Sequence, residues 1–288
     1  MLLSPKRSVL ITGASSGFGK RFVEAFLHQG WQVYVGLRGG EKRFREVYAR
    51  ELTAHPEWAA RAIPLDLHVD RAESVHAAAA RIAKDGSLDS VVHNAGYALM
   101  GALEDQTIPQ IRDQMETNFL GAVALTQALL PSLRARRGRI LVISSAAGLT
   151  GLPYYAAYSA SKYALEGYFE ALSYELRPDG ISVCLVEPGT FRTWTELGEM
   201  RMGERVLSGR NKDLNQRFIA NIKAQYKASP DPAPVARLLV KLAERRNVPM
   251  RVVVGRDAWG LRFLQLLPSF LYHHAFYWGF KQSMLKAR

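Results

Sequence analysis

The chain has 288 residues, of which 48% are hydrophobic, and a formal net charge of +12. This length suits one large α/β domain or two small ones, and the single cysteine, Cys184, excludes an internal disulfide and favours a reducing compartment. No signal-peptide pattern and no run of about eighteen apolar residues occurs, so we expect a cytoplasmic protein without a transmembrane helix. The basic residues lie outside any recognisable nucleic-acid module, which argues against nucleic acid as a partner.

Short apolar runs alternate with longer amphipathic segments, a pattern typical of β-α-β units. The predicted strands are Ser8–Thr12, Gln32–Leu37, Ala62–Leu65, Leu88–His93, Arg139–Ile143, Ile181–Val186 and a weaker Arg251–Val254. The first predicted helix ends near Gln29, and the others cover Glu41–Ala54, Asp70–Lys84, Ile108–Arg136 and Tyr154–Arg177. This order predicts an α/β fold, a doubly wound parallel sheet (Rossmann fold) with helices on both faces. We expect one catalytic domain over residues 1–255, a helical C-terminal extension over 256–288, and ligands at the carboxyl ends of the strands.

A glycine-rich turn, TGASSGFG, joins the first predicted strand to its helix at residues 12–19. Glycine lets the backbone turn tightly and approach a pyrophosphate, and the N-terminus of the following helix favours the negative charge. Such turns are often no more than turns, but this one lies at the strand–helix junction where a phosphate site is expected. We therefore predict that the turn binds a dinucleotide through Gly13, Ser15, Ser16, Gly17, Phe18 and Gly19.

The second predicted strand ends in Leu37 and Arg38, without the acid that would accept a hydrogen bond from a ribose 2′-hydroxyl. An arginine there suits a 2′-phosphate, so Arg38 favours NADP(H) over NAD(H), the alternative being a surface arginine. After the third strand, Asp66 is either a helix N-terminal acid or, with Leu67, an adenine contact. After the fourth strand, we predict further cofactor contacts or an ordinary turn at Asn94, Ala95 and Gly96.

Tyr158 and Lys162 are four positions apart, which on a helix puts both side chains on one face. Ser145 lies thirteen residues before the tyrosine, at the end of an apolar run. A free phenol titrates near ~10 and is a poor acid or base at neutral pH unless a neighbour such as the lysine cation stabilises the phenolate. The serine hydroxyl can hold a carbonyl or alcohol oxygen, so the three side chains make a proton-transfer site for a C=O/CH–OH centre. Alone, however, a Tyr–Lys pair on a helix is usually a surface pair. Asn118 has a poor propensity for the helix predicted around it, which suggests a specific role.

Two C-terminal segments are rich in large apolar residues. Residues 193–229 are expected to form a lid or pocket wall, and their apolar residues suit either a bulky substrate or helix packing: Trp194, Leu197, Met200, Met202, Val206 and Leu207. Thirteen large apolar side chains crowd residues 259–280, with Arg262, Lys281, Lys286 and Arg288 among and after them. The composition of 257–288 is typical of a peripheral membrane segment, but packing on the body or on a second subunit would also bury it. Pro268 divides it into stretches too short to span a bilayer.

Together the motifs resemble the short-chain dehydrogenase/reductase family over roughly residues 6–195: TGASSGFG, HNAG, the Ser145–Tyr158–Lys162 set and PGTFRT. The resemblance implies a catalytic tetrad of Asn118, Ser145, Tyr158 and Lys162, with Tyr158 as the acid in reduction and the base in oxidation. It implies that Lys162 lowers the pKa of the tyrosine and holds the nicotinamide ribose, and that Ser145 binds the substrate oxygen. Asn118 would hold a water that links Lys162 to solvent. The nicotinamide-side motif supplies Pro188, Gly189, Phe191 and Thr193, and His93 replaces the usual asparagine before Asn94.

Within the family, the chain looks most like 17β-hydroxysteroid and retinol dehydrogenase-like members. This likeness implies an NADP(H)-dependent oxidoreductase that interconverts a ketone or aldehyde and an alcohol on a lipophilic substrate (steroid-, retinoid- or fatty-acyl-like). No metal is needed, and a homo-oligomer, either a dimer or a tetramer, is expected. The alternative is a catalytically silent dinucleotide-binding sensor or structural subunit, and the intact tetrad favours the enzyme.

Overall fold

One parallel sheet of seven strands organises the residues that the computed structural model describes, namely 7–86, 88–193 and 201–285. Its strands are β1 (Ser8–Thr12), β2 (Gln32–Leu37), β3 (Ala62–Asp66), β4 (Ser90–His93), β6 (Arg139–Ile143), β7 (Ser182–Pro188) and β9 (Arg251–Val254). The short strands β5 (Leu99–Met100) and β8 (Arg201–Met202) pair separately. The order across the large sheet is β3-β2-β1-β4-β6-β7-β9, with every neighbouring pair parallel. The predicted doubly wound sheet is confirmed.

Helices cover both faces of this sheet. They are α1 (Gly17–His28), α2 (Gly40–Val47), α3 (Ala49–Ala54), α4 (Ala72–Asp85), α5 (Ile108–Met115), α6 (Gly121–Arg136), α7 (Ala156–Leu176), α8 (Lys212–Lys227), α9 (Ala233–Glu244), α10 (Arg256–Leu264) and α11 (Ser269–Leu285). Successive side chains of a strand point to opposite faces. Val9 and Ile11 of β1 therefore share a core with α1, α2 and α9, whereas Leu10 packs with α4, α6 and α7 on the other face.

Two helices predicted as continuous are broken. The helix expected over Glu41–Ala54 divides at Tyr48, whose hydroxyl donates to the Ala14 carbonyl at 2.6 Å. The helix expected over Ile108–Arg136 divides at a π-helical turn, Glu116–Leu120. Single π turns inside α-helices are frequent at functional sites. Both breaks place a side chain beside the carboxyl ends of the strands.

The segment after β7 contributes both packing and cleft walls. Trp194, Leu197 and Met200 of the expected lid lie outside the described residues. Met202 and Val206 pack in a small core with α8, and Leu207 is exposed, so these three serve packing and the surface rather than a substrate pocket. The C-terminal extension forms α10 and α11, which are divided at Pro268 as predicted. Within the described ranges, none of the helices combines the length and the apolarity needed to cross a membrane.

Candidate active site

A cleft of about 1220 Å³ lies at the carboxyl ends of the strands. Doubly wound sheets bind ligands at this edge, where the chain crosses from one face of the sheet to the other. The cleft is lined by every predicted site residue except Gly19, Asp66 and Asn118. The structure therefore brings together side chains that are scattered over residues 13–193 of the sequence.

The glycine-rich turn leads from β1 directly into α1, whose first residue is Gly17. Gly13 has φ +64°, a conformation that side chains rarely adopt, and a Cβ there would lie 2.8 Å from the Cα of Ala95. Gly19 is buried against the Gly13 carbonyl rather than facing the cleft. Gly19 was predicted to contact the ligand, but it instead allows α1 to pack closely on the glycine-rich turn.

The N-terminus of α1 faces the cleft through Ser15, Ser16 and Gly17. Unpaired backbone N–H groups and the helix dipole make this a favourable place for a phosphate. The ring of Phe18 contacts that of Phe191 with 5.9 Å between centroids, which joins the turn to the loop after β7. The bare backbone and the partial positive charge fit the pyrophosphate of a dinucleotide.

Asn94 fixes the end of β4 beneath the glycine turn. Its Nδ2 donates to the Thr12 carbonyl at 2.9 Å, and the N–H groups of Asn94 and Ala95 donate to Thr12 Oγ1, each at 2.9 Å. His93 is buried, with its Nε2 2.8 Å from the hydroxyl of Thr126 on α6, and burial lowers its pKa to about 3. His93 is therefore a neutral structural residue.

The far end of the cleft, beyond β2, is cationic. Arg38 is exposed and lines the cleft, as does Arg43 in the first turn of α2. The carboxylate of Asp66 accepts a hydrogen bond from the Gly39 N–H at 2.8 Å, so it shapes the loop that carries Arg38. Asp66 does not line the cleft, whereas Leu67 does. The strand-end pattern missed Arg43, which could have been found because the first turn of the following helix faces the same edge.

Tyr158, on the first turn of α7, lies in the cleft with its hydroxyl hydrogen-bonded to Ser145. Ser145 follows β6, and its Oγ accepts from the Ala147 N–H at 3.1 Å, which fixes the hydroxyl in place. Burial raises the pKa of the Tyr158 phenol, and the hydrogen bond from Ser145 opposes this effect. At neutral pH the phenol is therefore protonated and ready to donate.

Lys162 lies one turn beyond Tyr158, and its Nζ is 5.6 Å from the centre of the tyrosine ring. This Nζ donates to the Ile143 carbonyl at 2.8 Å. Burial lowers the pKa of Lys162 to about 8, and the negative charge of Glu166 opposes the decrease. The lysine is thus mostly charged at pH 7 and loses its charge in mildly alkaline solution.

Asn118 lies in the π turn and is held on both sides. Its Oδ1 accepts from the Tyr97 N–H at 3.0 Å, and its Nδ2 donates to the Tyr97 carbonyl at 2.9 Å and to Ser161 Oγ at 3.0 Å. A small cavity of about 10 Å³ separates Asn118 from Lys162, with Thr12 and His93 on its walls. This space holds about one water molecule.

A buried acid cluster lies behind Lys162. Arg251 Nε is 3.0 Å from Glu166 Oε2 and 3.4 Å from Glu187 Oε1, and its Nη2 is 2.7 Å from Glu170 Oε2. Glu187 has no exposed surface, and no donor within the described ranges completes a hydrogen bond to either of its oxygens. Burial, followed by the like charge of Glu166, raises the pKa of Glu187 to about 7, against the opposing charge of Arg251. This cluster has no signal in the sequence, because its members come from three separate elements, α7, β7 and β9.

The C-terminal extension holds the loop after β7. The Gly189 N–H donates to the Val254 carbonyl at 2.8 Å, and the Thr190 N–H donates to the Asp257 carboxylate at 2.6 Å. A Cβ at Gly189 would overlap Oδ1 of Asp257, so a larger residue there would displace this carboxylate. Asp257 was also missed from the sequence, since an acid in the first turn of a helix is ordinarily explained by the helix dipole alone.

The same loop is held from the other side by α8. Thr193 Oγ1 lies 2.7 Å from the Tyr226 hydroxyl, which also accepts the Thr193 N–H. Pro188, Gly189, Phe191 and Thr193 all line the cleft, at its boundary with the apolar part. The loop therefore separates the groove beside the glycine turn from a second chamber.

This second chamber is walled mainly by apolar side chains, with Asn221, Gln225 and Tyr226 of α8 among them. The apolar side chains come from the loop before α7 and from α8, α10 and α11. They are Leu152, Phe218, Ile222, Leu261, Leu264, Phe276 and Phe280. The rings of Tyr154 and Phe218 stack at 4.6 Å, which fixes one wall. In the described part of the chain, no three His, Cys, Asp or Glu side chains lie close enough to hold a metal ion. Ser145 and Tyr158 lie where the apolar chamber meets the groove.

The sequence profile of short chain dehydrogenases matches residues 7–201. Over 253 residues, the chain is 38% identical to 3-ketodihydrosphingosine reductase of Bacteroides thetaiotaomicron, with 86% of this chain and 87% of the relative covered. It is 35% identical over 257 residues to retinol dehydrogenase 8 of Bos taurus, with 85% and 80% covered.

Among solved structures, actinorhodin polyketide ketoreductase with NADPH superposes with a TM-score of 0.71 at 27% identity, covering 88% of this chain and 97% of the other. The sheet order, the matched profile and the large shares of the relatives that are covered all indicate the same family. The chain belongs to the short-chain dehydrogenase family, and it is an oxidoreductase that acts on CH–OH groups with a nicotinamide dinucleotide.

Proposed function

We propose that this protein is an NADP(H)-dependent oxidoreductase that interconverts a ketone or aldehyde and an alcohol on a lipophilic substrate. The observation that carries the proposal is the position of Ser145, Tyr158 and Lys162, at the boundary between a groove suited to a dinucleotide and an apolar chamber. A carbonyl oxygen at that boundary would accept hydrogen bonds from Ser145 and Tyr158. Its carbon would then face the loop at Gly189.

The proposed mechanism assigns proton transfer to Tyr158. NADPH, when bound, would supply the hydride that reduces the carbonyl carbon. Tyr158 donates its proton to the oxygen as negative charge develops there, and the raised pKa keeps this proton in place until then. In oxidation the phenolate is the base, and the Lys162 cation stabilises it. A water in the small cavity between Lys162 and Asn118 would return the proton from solvent.

NADP(H) rather than NAD(H) is proposed from the charge at the end of β2. Arg38 and Arg43 both line this end of the cleft, and the cleft-lining residues of β2 and α2 include no acid. Two guanidinium groups suit a 2′-phosphate, which accepts several charge-assisted hydrogen bonds. The NADPH carried by the polyketide ketoreductase structure supports the same choice.

A lipophilic substrate is proposed from the chamber walls. Leucine, isoleucine and phenylalanine side chains dominate them, and an apolar wall discriminates by area rather than by hydrogen bonding. The names of the two relatives, a 3-ketodihydrosphingosine reductase and a retinol dehydrogenase, both denote lipid substrates. A catalytically silent sensor would not need the hydrogen bond between Ser145 and Tyr158. Nor would it need the neighbouring Lys162, whose Nζ is held 2.8 Å from the Ile143 carbonyl.

The proposal is tested by following NADPH oxidation with long-chain 3-keto bases, retinal, ketosteroids and short polar ketones. We expect turnover with one lipophilic class, little with the polar ketones, and none with Tyr158→Phe. Binding of NADPH without turnover of any carbonyl compound in this set would favour the sensor. A homo-oligomer and a separate extension over 256–288 stay predictions, to be tested by light scattering and limited proteolysis.

A further inference from the structure

Helices α10 and α11 have two distinct faces. Leu261, Leu264, Phe276 and Phe280 turn inward and line the cleft. The opposite side, here called the outer apolar face, consists of Trp259, Phe263, Leu266, Leu267, Phe270, Leu271, Tyr277 and Trp278. These eight are more than half of the fifteen exposed large hydrophobic residues found within the described ranges, although the two helices form only a small part of the chain. Exposed large apolar side chains concentrated on two consecutive helices are typical of an interaction site.

The charged side chains of α10 and α11 are three cations and one acid. Between residues 256 and 285 the charged side chains are Arg256, Asp257, Arg262 and Lys281. The single acid, Asp257, is engaged with the backbone of the loop after β7 and lies against Gly189. The three cations are exposed. The face therefore presents apolar and cationic groups without an acid of its own to pair them.

We propose that the outer apolar face docks on an anionic lipid bilayer. A second copy of the chain is a poorer occupant, because a symmetric dimer through this face would bring the three cations of each copy together without an acid to compensate. Anionic headgroups supply the missing charge, while exposed tryptophan, tyrosine and phenylalanine side chains suit the boundary between headgroups and acyl chains. The break between the two helices at Pro268 and the exposed apolar side chains along both of them fit two short helices that lie on the bilayer surface without crossing it.

The helices that carry the outer apolar face are hydrogen-bonded to the segment that follows Ser145. The Gln265 side chain donates to the Leu149 carbonyl, and the Tyr272 and Thr150 hydroxyls are hydrogen-bonded. Leu149 and Thr150 belong to the segment that follows Ser145. Docking would thus set the apolar chamber directly beneath the lipid surface. This docking surface goes beyond the proposed reaction, and lipid binding can be measured without turnover.

The test is co-sedimentation of the full chain with phosphatidylcholine vesicles, with and without phosphatidylserine, at low and high salt. We expect binding to the anionic vesicles at low salt and release at high salt, since salt screens exposed charges. The variant Phe263→Glu with Phe270→Glu should bind at least about tenfold more weakly, because it puts two carboxylates into the interface. The matched control, Leu103→Glu with Tyr174→Glu, changes equally exposed residues elsewhere and should bind normally.

Tryptophan emission gives a second measurement on the same samples. Trp259 and Trp278 are on the outer apolar face, whereas Trp31 and Trp58 are buried. Anionic vesicles should shift the emission of the wild type to shorter wavelengths, and Trp259→Phe with Trp278→Phe should greatly reduce the shift. The proposal is wrong if the wild type stays in the supernatant at low salt, or if the control variant loses as much binding as the outer-face variant. A third outcome also contradicts the proposal: the wild type is a dimer that does not bind vesicles, and Phe263→Glu with Phe270→Glu converts it to a monomer. The outer apolar face is then a subunit interface.

Discussion

Replacing Glu187 by glutamine removes a buried charge while keeping the shape of the side chain. Glu187 has no exposed surface, and its pKa is raised from the ordinary 4.5 to about 7 by burial and by Glu166. A carboxyl whose pKa is higher in the folded state than in the unfolded state costs stability once it must ionise. The cost is absent below pH 4.5, grows as the pH rises towards 7, and is complete above it.

The size of this cost follows from the pKa. Each pKa unit corresponds to about 1.4 kcal/mol, so a rise from 4.5 to about 7 costs the folded state up to roughly 3 kcal/mol. Glutamine at this position cannot ionise, and Arg251 keeps its contacts with Glu166 and Glu170. The Glu187→Gln variant should therefore match the wild type at pH 5 and be more stable at pH 8, by up to about 6 °C in Tm for a chain of this size.

The assay is thermal unfolding followed by circular dichroism at a series of pH values between 5 and 8. Glu170→Gln is the matched control, because Glu170 contacts the same arginine but is largely exposed, and its hydrogen bond to Arg251 lowers its pKa. The stability that Glu170 contributes is present above its unfolded pKa and is lost as the pH falls, so this variant should show no gain at pH 8. Parallel pH profiles for the wild type and Glu187→Gln would refute the reasoning.

Three further predictions concern the cleft. Tyr158→Phe should lower turnover by at least about a hundredfold while NADPH affinity barely changes, and near-normal turnover would exclude this tyrosine as the acid. Arg38→Leu with Arg43→Leu should lower the preference for NADPH over NADH, measured as the ratio of kcat/KM values, by at least about tenfold, and an unchanged ratio would contradict the assignment of the 2′-phosphate. Asp257→Ala should weaken NADPH binding in calorimetry by about tenfold, because the loop after β7 loses a charged acceptor. The control is Asp231→Ala, because the Asp231 carboxylate accepts the Ala233 N–H at 2.7 Å outside the cleft. If this variant weakens NADPH binding equally, the loop after β7 is not the cause of the weaker binding.

The sheet and most of the cleft could be predicted because their signals are local. Each central strand is a short buried run, and a glycine turn or a polar residue at its end reaches the same edge. Asn118 also gave a local signal, because a poor helix former in an otherwise helical stretch marked the π turn. The exact break of that helix was not predictable, since it depends on the bonds that Asn118 makes to Tyr97 and Ser161 from other elements.

The missed residues depend on contacts between distant parts of the chain. Glu187 looks like an ordinary residue before a proline. That it lies beside Glu166 and shares Arg251 with it follows only from the alignment of β7 with α7 and β9. Asp257 acts on Thr190, which lies 67 positions earlier. Arg43 faces the cleft because α2 begins immediately after the loop that Asp66 shapes. None of these contacts has a fixed spacing in the sequence.

The anchoring of the loop after β7 by Asp257 means that the last thirty or so residues are not an independent module. A truncation after Gly255 would remove the acceptor of the Thr190 N–H together with the apolar walls of the chamber. Exchanging this segment between related enzymes to transfer substrate preference would therefore change cofactor affinity as well. Chimeras that keep Asp257 and begin the exchange at α11 would separate the two properties, because the bond to the loop then stays with its original partner.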